Sequence, residues 1–173
     1  MIAAFEGWND AGDAATTAVS HLAEHWHAEP FAEIDPEEFY DFTVTRPLIR
    51  LRDGVTRSLE WPRNTLSWAV PEHTGGVVLL RGVEPQLKWR TFSAQVLEVA
   101  ASLDCSLVLT LGALLAEVAH SRPTPVFGSA VTVSSSSAAP SSSSPSLLPF
   151  PSSTSISMKT TGTTVSVNVT TTV

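Results

Sequence analysis

Cysteine is almost absent from the 173 residues: Cys105 stands alone. A single thiol excludes an internal disulfide and any CxxC metal or redox site. Its neighbours are apolar, so it reads as a buried structural thiol rather than a nucleophile. No basic N-terminal start leads into a long apolar stretch, and no signal peptide is read. The longest apolar run, around Leu107–Ala119, is broken by Thr110 and Glu117 and is too short to span a bilayer. A cytoplasmic protein without a membrane partner is expected. Positive charge is also scarce. Residues 1–130 hold nine basic and 17 acidic residues, a balance of −8, and the rest of the chain adds only Lys159. Such a domain repels phosphate backbones, so nucleic acid is not an expected partner. Missing as well are a Ser-His-Asp ordering, a nucleophile elbow and a phosphate loop.

What is present falls into two unequal parts. Residues 131–173 contain 14 Ser and 9 Thr, no acidic residue and, besides Phe150, no aromatic one. That composition buries too little apolar area to offset chain entropy, and a disordered low-complexity tail is expected. Within it, Val165, Val167 and Val169 alternate with polar residues and could pair as an edge strand. Asn168-Val169-Thr170 matches a glycosylation sequon, read here as chance.

Residues 1–130 carry the periodicities of an α/β domain. Met1–Phe5 is a short buried strand. After Glu6-Gly7-Trp8-Asn9, the apolar positions Ala11, Ala14, Ala15, Ala18, Val19, Leu22, Ala23 and Trp26 share one helix face. Asp10 suits the N-cap, with Asp13 three places on. Asp35–Asp41 reads as a turn or helical start leading into Phe42–Thr45. A β-hairpin excursion is expected over residues 43–61, turning at Asp53-Gly54. A three-residue loop, Arg52-Asp53-Gly54, sets Arg50 opposite Thr56 and places Ile49, Leu51, Val55, Leu59 and Trp61 on one buried face. Val77–Leu80 is a strand buried on both faces, ending before Gly82 and Pro85. A helix follows with Trp89, Phe92, Val96, Val99 and Leu103 on one side. Ser106–Leu111 gives the next strand, with Gly112 at its end, and Thr124–Gly128 could start another. Alternating strands and helices predict a mostly parallel sheet covered on both faces.

Several ordered stretches together resemble the proteasome assembly chaperone 2 family, in its actinobacterial form. They are Phe5–Ala14, Ile34–Phe42, Arg46-Pro47, Trp61-Pro62, Arg81–Pro85, Trp89-Arg90, Gly112–Ala116 and His120–Pro123. The resemblance implies a three-layer α/β/α domain similar to nucleoside phosphorylases, here incomplete because family domains continue well beyond Ala130. It also implies protein partners, including proteasome subunits, and homo-oligomers where the domain is complete. The hydrophobic-Tyr-any C-terminal tripeptide of some members is not matched by Thr171-Thr172-Val173.

The candidate partner or ligand site is the loop after the first strand, with Glu6, Trp8, Asn9, Asp10 and Asp13. Ligands of open α/β sheets gather at the carboxyl ends of strands. Arg81 and Glu84 follow the second buried strand on the same edge, and Arg81 could pair with Glu6 or Asp10. Tyr40, Arg46 and His120 complete the candidates. Three carboxylates in this loop would oppose phosphate, so a cationic ligand or a basic partner surface is the functional alternative to a capped helix with solvated acids. His21 and His25 lie four apart on a helix but lack the carboxylate of a zinc-protease pattern, and no metal or cofactor is expected. An exposed Trp8 or Trp68 could anchor a partner. The expected role is a non-enzymatic assembly-chaperone-like module. The alternatives are a nucleoside-type hydrolase or phosphorylase-like enzyme in the strand-end cleft, and a non-functional product of a truncated or frameshifted reading frame.

Overall fold

The structure is a computed structural model that describes residues 1–72, 74–115, 126–133 and 163–172. The candidate His120 and most of the Ser/Thr-rich segment lie outside the described residues.

Among the described residues, nine strands and two α-helices follow in the order β1 (Ile2–Glu6), α1 (Ala14–His25), β2 (Glu29–Ile34), β3 (Leu48–Arg52), β4 (Thr56–Glu60), β5 (Asn64–Ala69), β6 (Val77–Val83), α2 (Trp89–Ser102), β7 (Leu107–Leu115), β8 (Val126–Val133) and β9 (Thr163–Thr172). Seven strands form one sheet, ordered β2-β5-β6-β1-β7-β9-β8, while β3 and β4 pair apart from it.

Side-chain alternation along β1 explains the layers. Ala3 and Phe5 point to one face, where Leu66, Val78, Leu80, Val108 and, from α2, Val96, Val99 and Ala100 complete a core. Ile2 and Ala4 point to the other, where Ala15, Val19 and Leu22 of α1 pack with Leu79 and Leu111. The helices thus cover opposite faces of the sheet, giving three α/β/α layers. Ala4 and Leu80 are wholly buried, which is why both strands read as continuous apolar runs.

The sheet is mixed rather than mostly parallel. Its centre is parallel, with β1 between β6 and β7. Its flank is antiparallel: β5 pairs with β6 and with β2. Residues 70–76 joining β5 to β6 are too few for a parallel crossover, so the chain must reverse. Sequence periodicity does not show β2, whose Glu29, Pro30 and Phe31 are exposed at the sheet edge. At Phe42–Thr45 the chain turns, with Val44 and Thr45 N–H groups donating to the Asp41 carbonyl.

Both glycines expected to end strands lie inside them. Gly82 is within β6 because the Asn64 side chain packs directly on it, and Gly112 is within β7 because Asn9 does the same there. A glycine inside a strand marks close approach as readily as a stop.

The hairpin lies in the expected place with a different register. Asp53 and Gly54 take φ of 54° and 71°, and Val55 N–H donates to the Arg52 carbonyl at 3.2 Å. Both central positions are left-handed, and strand pairing resumes only after one further residue. Val55 is then skipped, so Arg52 faces Thr56, Arg50 faces Ser58 and Ile49 faces Leu59. The loop has three residues, but they are Asp53-Gly54-Val55. Ile49, Leu51 and Leu59 share a face as alternation predicts, but Val55 lies in the loop and Trp61 lines the opposite side with Arg50, and the shared face is not buried. Ile49, Leu51 and Leu59 are 66%, 63% and 52% exposed.

From the Ser/Thr-rich segment, β9 enters the sheet. It pairs antiparallel with β7 and parallel with β8, so it is an interior strand rather than an edge.

Candidate functional site

The loop after β1 is organised by one buried carboxylate. Asp10 is almost fully buried and accepts from Ala15 N–H at 2.6 Å, Thr16 N–H at 3.3 Å and Thr16 Oγ1 at 2.5 Å. The residue preceding α1 is Asp13, left-handed at φ 54° and without a capping side-chain bond. Asp10 therefore satisfies the free N–H groups of the first helical turn from three residues further upstream, across a 3-10 turn at Ala11–Asp13. Its negative charge also faces the positive end of the helix dipole. The expected capping role of Asp10 is present, and both of its carboxylate oxygens take part in it.

The neighbouring groups are similarly engaged. Glu6 pairs with Arg81 at 3.1 Å, both about half exposed. Asn9 contributes its carbonyl to Ala113 N–H at 2.8 Å, tying the loop to β7. Glu84 donates its N–H to the Glu6 carbonyl and accepts Trp8 N–H on Oε2 at 3.3 Å. A Cβ on Gly7, where φ is 149°, would lie 2.7 Å from that same oxygen. The Trp8 ring is left outside this network, and the residue is 86% exposed.

Tyr40 lies on the α2 side of the sheet, packed with Phe39 and Phe92. Its hydroxyl donates to the Val83 carbonyl at 2.6 Å and accepts from Asn64 Nδ2. Burial pushes the phenol up to about 12, against the hydrogen bonds from Asn64 and to Val83. Tyr40 thus braces the core between β5 and β6. Tyr40→Phe is expected to cost about 1–3 kcal/mol, because the Val83 carbonyl and the Asn64 amide lose their partner. The unfolded phenol ionises near 10 and the folded one near 12, so this stabilisation is full below pH 10 and is lost as pH rises toward 12. Denaturant melts across pH 8–12 should show that alkaline loss in the parent and a smaller one in the variant.

Glu6, Asp13 and Arg81 line a depression of about 330 Å³ with Thr16, Thr17 and Ser20. Glu6 and Arg81 also border a larger cleft of about 830 Å³ beneath the hairpin, which Arg46 joins. The candidate residues therefore divide. Glu6, Asp13, Arg46 and Arg81 share connected surface, Trp8 stands beside it with Glu84, and Asp10 and Tyr40 are internal. Arg50, Arg52 and Arg63 also line the cleft, and the site reading from sequence missed them. Their signal was available: five arginines between Arg46 and Arg63 in an acidic chain. Among the described residues, no group of three or more His, Cys, Asp or Glu side chains is placed to hold a metal. No helix among them is long and apolar enough to cross a membrane.

Comparisons with known proteins converge. A proteasome-assembly chaperone homologue from Mycobacterium tuberculosis is 54% identical, with a TM-score of 0.68 over 72% of this chain and 53% of that one. A PAC2 family protein from Streptomyces avermitilis is 49% identical, with a TM-score of 0.67 over 72% of this chain and 54% of that one. This chain thus spans about half the length of those two relatives. A Corynebacterium glutamicum protein of unknown function, 17% identical with a TM-score of 0.54 over 99% of this chain and 65% of that one, shares the fold alone. No curated protein matches. The PAC2 family profile matches residues 4–166, and the chain belongs to the PAC2 family.

Proposed function

We propose that the chain is a non-enzymatic, assembly-chaperone-like module that binds proteasome subunits and acts in the cytoplasm as an oligomer. The observation carrying this reading is what the strand-end loop does with its polar groups. Asp10, Glu84 and the Asn9 carbonyl hold backbone in place, Glu6 is paired with Arg81, and Trp8 projects outward. A rigid loop presenting a large amphipathic ring is the build of an interface anchor. The Mycobacterium tuberculosis relative, described as a proteasome-assembly chaperone homologue, supports the same class of partner.

We read residues 131–173 as a segment distinct in composition from the domain before it, although its β9 joins the domain's sheet and the family profile reaches residue 166. Both relatives near 50% identity cover 72% of the 173 residues, about 125, which is close to the length that precedes this segment.

Trp8→Ala tests the anchor. The ring touches water rather than core, so the variant should melt as the parent does, within about 0.5 kcal/mol. Its capture of purified proteasome α-subunits should weaken at least tenfold, in line with the ~2 kcal/mol or more of a hot-spot residue. Unchanged capture would remove Trp8 from the interface. Calorimetry with a nucleoside and phosphate should give no saturable heat; micromolar binding would favour the enzyme alternative.

A further inference from the structure

We propose that the cleft beneath the β3–β4 hairpin binds an extended acidic segment of a partner protein, its carboxylates pairing with Arg46 and Arg52. This rests on the reading of the chain as a protein-binding module and names the chemistry of what it binds. The hairpin is amphipathic in an unusual sense. Its apolar Ile49 and Leu51 face away from the cleft, whereas Leu48, Arg50, Arg52, Ser58 and Glu60 line it, as the register requires. Arg46, Arg63 and Arg81 close the other sides, giving five arginines against Glu6, Glu24 and Glu60 in a protein of net charge −7.

Three of those arginines are already paired: Arg50 with Glu60 at 2.5 Å, Arg63 with Glu33 at 3.1 Å and Arg81 with Glu6 at 3.1 Å. Arg46 donates only to the Thr43 carbonyl, at 3.4 Å, and among the described residues neither Arg46 nor Arg52 has a carboxylate partner. The cleft therefore holds two uncommitted guanidinium groups, each able to take a carboxylate bidentately.

A small phosphate is a poorer match than a peptide. α1 contributes Val19, Ser20, Ala23 and Glu24 from its middle and last turns, so no helix N-terminus offers backbone donors. The arginines are open to water, where an ion pair gains strength only once a partner excludes solvent. Leu48 and Trp61 supply apolar wall for the other side chains of such a partner. Among the described strands, β3 and β4 pair only with each other, and each leaves an outer edge that an extended chain could hydrogen-bond.

The test uses a fluorescein-labelled decapeptide of alternating Glu and Leu, and the same peptide with Lys for Glu, in anisotropy titrations on the full chain. The Glu peptide should bind and weaken as salt rises; the Lys peptide should not bind. The double substitution Arg46→Glu with Arg52→Glu should weaken binding at least tenfold. Both side chains are exposed, and thermal melts together with the milder Arg→Gln pair separate lost binding from lost folding. Equal affinity of parent and variant would overturn the proposal. So would complete displacement by millimolar phosphate, which marks a small-anion site, or a change of oligomeric state in the variant, which marks a self-interface. Capture of proteasome subunits by parent and variant alike would sink this inference while leaving the chaperone reading intact. Peptide binding without any subunit capture would do the reverse.

Discussion

Asp10→Ala is expected to lower stability by about 2–4 kcal/mol, with the loss centred on α1. The carboxylate accepts the Ala15 and Thr16 N–H groups and the Thr16 hydroxyl, all in a buried setting. An N-cap change alone costs about 1 kcal/mol, and each charge-assisted bond adds to that when its donor is left buried without water. Asp10→Asn keeps one acceptor oxygen and should lose roughly half as much. Because α1 packs Ala15 and Val19 against Ala4 and Leu79, its loosening uncovers one face of the sheet. Urea melts read the difference. A loss under 0.5 kcal/mol would mean that the capping network does not hold the helix, and that Asp10 is free for another role.

Gly82→Ala is expected to be at least as damaging, by about 3 kcal/mol. A Cβ there would sit 1.7 Å from Asn64 Oδ1 and 2.6 Å from the Asn64 Cα. Asn64 is wholly buried and its amide holds Tyr40, so it has no room to retreat. Overpacking of this kind usually costs 1–3 kcal/mol, and here the strand backbone must also give. Among the described residues Asn64 Oδ1 has no hydrogen-bond partner, so truncating that side chain gives up only the bond from its Nδ2 to Tyr40. A double-mutant cycle with Asn64→Ala should therefore recover part of the loss. Recovery stays incomplete because the 2.6 Å approach to the backbone remains. Additive losses would show that the two residues do not meet as described.

These two positions also show where the sequence was legible. Asp10 was readable as a cap because a helix start is local: an acid, a short turn and an amphipathic run. Gly82 and Gly112 were misread because their meaning is tertiary. Nothing near them in the chain shows that Asn64 and Asn9 arrive from elsewhere to lie against them. The strands β1, β6 and β7 were visible as apolar runs because both their faces are covered. β2 was not, since an edge strand with exposed Glu29 and Phe31 carries no such run. The hairpin was placed by Asp53-Gly54, but its register was argued from a buried face, and that face is in water. In the site, adjacent strand ends left Glu6 and Asp10 both open as partners of Arg81; the structure pairs it with Glu6. Tyr40 could not be placed, because its partners Asn64 and Val83 come from β5 and β6. The arginine cleft was overlooked because attention to the acidic total hid a basic segment of 18 residues between Arg46 and Arg63.

Native mass spectrometry of the full chain mixed with purified proteasome α-subunits tests the central claim most directly. The account predicts a heterocomplex that survives desalting and is lost when Trp8 is replaced by Ala. No heterocomplex in that mixture, alongside a bound nucleoside when one is supplied, would contradict it.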